Sequence, residues 1–166
     1  EVTGDYLGVV GKGFNCASHK KFFDGVQNIM VDNIPDAMVD STVRWSTARN
    51  NAWAMMDIVM PNVFTTVETE KHSTKIGRRV IALHGVDGSC SNQVFFGAID
   101  FFCTNGMITG DYDKVRRKNT ANFCMDRFIQ ELNQSSVDFV GQTNELQQWA
   151  NIELPTYSTK SCKEYV

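Results

Sequence analysis

Arg78-Arg79-Val80-Ile81-Ala82-Leu83-His84, then Gly85-Val86-Asp87-Gly88-Ser89, then Val94-Phe95-Phe96-Gly97-Ala98-Ile99-Asp100-Phe101-Phe102-Cys103 is the stretch that decides the fold class. Two apolar runs rich in β-branched and aromatic residues flank Asp-Gly turn chemistry, which reads as two strands joined by a reversing loop. Gly97 interrupts the second run as a bulge would. Thr104-Asn105-Gly106-Met107-Ile108 carries the chain on through an Asn-Gly corner.

The flanks extend the pattern. Val43 to Ala48 alternates apolar and polar residues, as a half-exposed strand does. Arg49-Asn50-Asn51 is a turn, because Asn tolerates positive φ, and Trp53 to Met60 reads as the returning strand, closed by Pro61. Residues 62–70 offer a further strand (Val63, Phe64, Val67), and 71–77 read as a polar loop. Tyr6-Leu7-Gly8-Val9-Val10 reads as a short strand ended by Gly11 and Gly13. Ser18 is an N-cap for a helix over about 18–31, with Phe22, Val26, Ile29 and Met30 at helical spacing, and Pro35-Asp36 open a short turn or a single helical turn. Downstream, Phe123, Phe128, Ile129, Leu132 and Val137 predict the longest helix over about 120–140, capped by Thr120 and stopped by Gly141. Glu145 to Ala150 is a second helical stretch, broken before Pro155.

The order β-α-ββ(β)-ββ-α-α predicts an α+β fold: a mainly antiparallel sheet of hairpins, with one long C-terminal helix and one shorter N-terminal helix packed on one face. The other face is left to solvent, binding or assembly. At 166 residues the expectation is a single domain over 1–166, of which 141–166 is C-terminal helix and tail.

Composition narrows the classes. With 42% hydrophobic and 21% charged residues and only three prolines, the chain is neither fibrous nor disordered. No window is apolar for long enough to span a membrane. No leader with a charged start and an apolar centre is visible, so a cytoplasmic location is expected. The five cysteines (Cys16, Cys90, Cys103, Cys124, Cys162) form no C-x-x-C pair, so neither a zinc site nor a redox motif is expected, nor any metal or cofactor.

Net charge is −3, against a purely electrostatic nucleic-acid reading. Half of the 16 basic residues nevertheless fall in two runs: Lys71, Lys75, Arg78 and Arg79, and Lys114, Arg116, Arg117 and Lys118. Such patches act locally, because salt screens beyond about 8 Å. The second run precedes the long helix, whose positive end favours phosphate. Trp45 and Trp53 on the hairpin offer faces for base stacking, a contact worth roughly 1–3 kcal/mol per base.

Other constellations point more weakly to chemistry. His84, Asp87 and Ser89 have the residue types of a hydrolytic triad but lie too close around one turn, and no G-x-S-x-G elbow is present; Asp87 and Ser89 are expected to bond the turn's own backbone. Cys103 and His84 make a candidate thiol–imidazole pair across the sheet. Asp111 and Asp113 beside Gly110 lack the remainder of a calcium loop and read as a solvated turn. Gly8-Val9-Val10-Gly11-Lys12-Gly13 lacks the full phosphate-loop pattern.

Four collinear motifs resemble one family: Tyr6-Leu7-Gly8-Val9-Val10-Gly11-Lys12, Asp87-Gly88-Ser89, Phe102-Cys103-Thr104-Asn105-Gly106, and a basic step into a long helix. Over about residues 5–140 the chain is similar to the phage/plasmid-like proteins grouped as domain of unknown function number 932. It departs from that pattern at Val86, where the family has His before Asp-Gly-Ser, and at Lys118-Asn119-Thr120, where members often show Arg-His-Thr. The resemblance implies a mobile-element setting and a role near phage DNA metabolism, with no assigned reaction. The leading expectation is a non-catalytic accessory protein that binds single-stranded DNA through the two basic runs and the two tryptophans. The alternatives are a self-assembly or protein-interaction module and an enzyme using Cys103 or His84.

Overall fold

The computed structural model describes residues 7–68, 73–100 and 108–141, together with residue 148. Helix α1 spans His19–Asn33 and is capped as its sequence predicts, with the Lys21 amide donating to Ser18 Oγ at 3.2 Å. Its stripe of Phe22, Phe23, Val26, Ile29 and Met30 is buried. A single turn, α2 (Pro35–Met38), has Pro at its first position, where the missing N–H costs nothing. Strands β1 (Thr42–Ala48), β2 (Trp53–Glu68), β3 (Ser73–Gly85), β4 (Asn92–Asp100) and β5 (Ile108–Arg117) follow, then helix α3 (Met125–Gly141).

The five strands pair in sequence order, each antiparallel to the next. The molecule is thus α+β, with a five-stranded antiparallel meander. Arg49, Asn50 and Asn51 take positive φ (53°, 53° and 66°) and turn β1 into β2, as the Asn pair predicts.

Alternation along the strands separates two faces. Met56, Ile58 and Met60 of β2, Val80 and Ala82 of β3, Val94 and Phe96 of β4 and Val115 of β5 form one core with α1 and with Phe128 and Leu132 of α3. Helices α1 and α3 both lie on this inner face and touch each other. Phe22, Phe96 and Phe128 are essentially inaccessible to water there, each worth roughly 1.5–3 kcal/mol of transfer free energy.

Several sequence expectations are corrected. Residues 7–10 are not a strand. That segment crosses the β3–β4 turn so closely that a Cβ on Gly8 would stand 3.0 Å from Asp87 Cβ. Pro61 does not close β2: the strand continues to Glu68, and the proline sits where register slips between Met60 and Phe64, so it leaves no ladder position without a donor. Residues 73–77 are not a loop but the start of β3, paired with 64–68. Asp111 and Asp113 lie within β5 rather than in a solvated turn. Gly97 does mark an irregularity, with register slipping between Phe96 and Ala98. Helix α3 starts at Met125 rather than near Thr120, because Phe123 N donates to Thr120 O at 2.8 Å in a separate turn. The helical stretch expected from Glu145 to Ala150 falls outside the described residues apart from residue 148.

Candidate nucleic-acid interface

The face of the sheet away from the helices is only partly polar. Met55, Val59, Ile81, Leu83 and Phe95 point there and are half-buried. Register places them in rows across the strands: Ser46–Met55–Leu83–Gln93–Arg116, then Arg44–Asp57–Ile81–Phe95–Lys114. Arg79 lies diagonally from Asp57 and grips it with two bonds, Nε to Oδ1 at 2.7 Å and Nη2 to Oδ2 at 2.9 Å. Arg44, Lys114 and Arg116 are exposed. Lys114 Nζ stands 4.6 Å from the centre of the Phe95 ring, a cation–π distance, and Arg116 Nε donates to Ser91 Oγ at 2.8 Å. Among residues with described side chains this face carries Arg44, Lys75, Arg79, Lys114 and Arg116 against Asp57 and Glu68. At one end, Trp53, Met55, Leu83 and Cys90 line an apolar recess of about 220 Å³; burial raises the Cys90 thiol pKa, as does the charge of Asp87, while a hydrogen bond from Gln93 and the charge of Arg116 oppose the shift.

That end of the sheet is where the sequence motifs converge. Trp53 Nε1 donates to Ser89 Oγ (2.8 Å) and Asp87 Oδ1 (3.2 Å), and the Ser89 amide donates to Asp87 Oδ1 (3.0 Å). Ser89 Oγ in turn donates to the Asp87 carboxylate (2.6 Å to Oδ1). Arg49 lies over the Trp53 ring, 5.3 Å from its centre, with Nε 3.5 Å from Asp87 Oδ2. Partial burial raises the Asp87 pKa, but the bonds from Ser89 and Trp53 and the charge of Arg49 outweigh it and leave the carboxyl below its ordinary value. A Cβ on Gly88 (φ +81°) would meet Val10 and Phe14, so the N-terminal segment lies across the turn. Asn119, from the basic step before α3, donates to Gly85 O at 2.7 Å and accepts from Asn92 Nδ2 at 2.6 Å. Three of the four motifs therefore meet at one end of the sheet.

A family model described as Domain of unknown function (DUF932) matches residues 6–164. The chain belongs to this family. No curated protein and no solved structure matches it. In this DUF932 chain the family-like Asp-Gly-Ser is a self-bonded turn: Ser89 is engaged by Asp87, Trp53 and Arg49, whereas His84 bonds elsewhere.

His84 is fully buried, and its Nδ1 lies 2.7 Å from His19 Nδ1. His19 Nε2 lies 2.9 Å from Asn51 O and must donate there, since a carbonyl only accepts. His84 Nδ1 is then the donor in the neutral pair, and His84 Nε2 is left buried without a partner. Burial first, and the charge of His19 second, push the His84 pKa down to about 3. With Phe22 stacked on it at 4.6 Å, His84 joins α1 to β3.

The basic residues expected in one patch are divided. Lys75, Arg79, Lys114, Arg116 and Trp53 share the outer face. Arg78 points into the core side, 6% exposed, with burial lowering its pKa. Trp45 is also on the inner face, edge-on to Phe23 at 4.9 Å, though 54% exposed. Arg117 reaches α3, pairing with Glu131 at 2.6 Å, and Lys118 is exposed beside it. Lys71 and Cys103 lie outside the described residues, and with Cys103 the thiol–imidazole pair. Among the described residues no three His, Cys, Asp or Glu side chains are placed to hold a metal, and no helix is long and apolar enough to cross a membrane. Arg44 and Phe95 belong to the outer face, and the basic runs and tryptophans did not point to them. The signal for both was strand alternation, which sets Arg44 opposite in facing to Trp45, and Phe95 to Phe96.

Proposed function

We propose that this protein binds single-stranded nucleic acid on the outer face of its sheet, as a non-catalytic accessory protein in DNA recombination or annealing. The setting we infer is a phage or plasmid gene product acting inside the host cell. The observation that carries the reading is the face itself. An antiparallel sheet with one solvated side ordinarily alternates apolar-in and polar-out. Here the outward positions Met55, Val59, Ile81, Leu83 and Phe95 are apolar as well, and Arg44, Lys114 and Arg116 stand among them. Stacking surface interleaved with cations is the combination that single strands require: bases lie on the apolar rows and phosphates meet the cations. Net charge of −3 then limits attraction to this face instead of spreading it over the molecule.

Fluorescence anisotropy of a labelled single-stranded oligonucleotide at two salt concentrations tests the proposal. Saturable binding that weakens with salt is expected. Lys114→Ala/Arg116→Ala should lower the slope of log affinity against log salt by roughly 1.4, at about 0.7 per phosphate contact on a single strand. Absence of binding at low salt overturns the reading. A defined oligomer unaffected by salt, seen by light scattering, would then assign the same face to a second copy of the chain.

A further inference from the structure

At the junction of β5 with α3 a second cavity, of about 340 Å³, opens on the other side of the β5 edge. Arg117, Lys118, Thr120, Asn122 and Arg127 line its polar part, over the buried rings of Phe123 and Phe128. We propose that this cavity binds a phosphate monoester, and that in the assembled complex the monoester is the phosphorylated end of a nucleic-acid strand lying on the outer face. The second half of this statement rests on the function proposed above.

Charge balance carries the argument. Arg117 is committed: Nη2 pairs with Glu131 Oε1 at 2.6 Å and Nη1 donates to Arg116 O at 2.8 Å. Lys118 and Arg127 are exposed and form no ion pair among the described residues. Asp126, on the first turn of α3, is exposed and does not line the cavity. Three cations less one carboxylate leave a surplus of two positive charges. A phosphate monoester carries about −1.5 to −2 near pH 7, whereas a backbone diester carries only one negative charge. The guanidinium of Arg127 suits a terminal phosphate because it can donate two parallel bonds, and Thr120 and Asn122 add a hydroxyl and an amide within the same lining. Continuity supplies the strand: Arg116 faces outward in the row with Gln93 and Leu83, and Arg117 and Lys118 follow it directly around the edge.

The test compares four probes on the full chain: a labelled single strand with a 5′-phosphate, the same strand with a 5′-hydroxyl, thymidine monophosphate, and thymidine. The expected result is at least about tenfold tighter binding of the phosphorylated strand, with thymidine monophosphate bound and thymidine not. Lys118→Ala and, separately, Arg127→Gln should abolish that preference while changing affinity for the hydroxyl strand less than about twofold; both side chains are exposed, so neither change opens the core. Lys114→Ala/Arg116→Ala should weaken both strands and leave thymidine monophosphate binding intact. Equal binding of the two strands, with no monophosphate binding, overturns the cavity assignment and leaves the outer-face reading standing. Binding of thymidine monophosphate through Lys118 and Arg127, with neither strand bound, keeps the monoester site and overturns the strand as its source.

Discussion

Burial keeps the His84 imidazole neutral, with its pKa pushed down to about 3, and that fixes the sign of this ring's contribution to the acid response of the fold. In the unfolded chain the same ring titrates near 6.5. Below that pH the unfolded state takes up a proton that the folded state refuses. The stabilising contribution is therefore complete above about pH 6.5 and is lost progressively as pH falls toward 3, at about 1.4 kcal/mol per unit. Between pH 6.5 and 5 the loss from this one ring amounts to about 2 kcal/mol. Urea denaturation of the wild type and His84→Leu over this interval checks it: the variant's stability should fall less steeply than the wild type's by that amount. Parallel curves would mean that His84 is protonated in the folded state. His84 was legible in the sequence as part of a buried run, but its partner His19 was not, because 65 residues separate them and only tertiary packing of α1 on β3 brings the rings together. The adjacent pairs Arg78/Arg79 and Arg116/Arg117 teach the converse. Strand alternation alone requires that each pair be split between faces, so the period of two is by itself enough to exclude a single patch containing all four.

At the scale of elements, β2 and β3 are held in register on the outer face by Asp57 and Arg79, whose side chains are 5% and 13% exposed. Breaking such a pair from one side leaves a desolvated charge behind, at a cost of about 3–5 kcal/mol. Arg79→Ala and Asp57→Ala should each destabilise strongly, and the double variant should lose clearly less than the sum of the two. A double-mutant cycle on denaturation midpoints measures this, and strict additivity would show that the two groups are not coupled. The sequence indicated these central strands well, because their apolar runs are long and bounded by turn residues. It indicated their extensions poorly. Residues 73–77 are mostly polar and contain a glycine, and their strand state comes from pairing with 64–68 beyond a register slip. Residues 110–113 have turn composition yet belong to β5, where β4 supplies the partner. Residues 7–10 have strand composition but pair with no strand among the described residues, and pack across the Asp87-Gly88 turn instead. In each case a long-range partner overrides local propensity.

At the scale of the molecule, the sheet separates an inner face packed on α1 and α3 from its outer face, and the neighbouring residues Phe95 and Phe96 sample one each. Phe96 is inaccessible to water within the core that joins β4 to α1 and α3. Phe96→Ala should cost about 3–5 kcal/mol, since it removes a buried ring and leaves a cavity that the close-packed core closes only in part. Phe95 is half-buried on the outer face under Lys114. Phe95→Ala should cost clearly less in stability, yet weaken a single-stranded oligonucleotide by roughly 1–3 kcal/mol if one base stacks there. Denaturation midpoints and anisotropy titrations on the two variants separate the roles. A Phe95→Ala protein that loses stability as heavily as Phe96→Ala and keeps its affinity would make the outer aromatic a packing residue, and would shift the proposed interface away from the centre of the sheet. The expected split follows from the architecture: among the described residues α1 and α3 pack against the inner face, so Phe96 is enclosed by the core on that side, whereas Phe95 packs within the outer face beside Lys114.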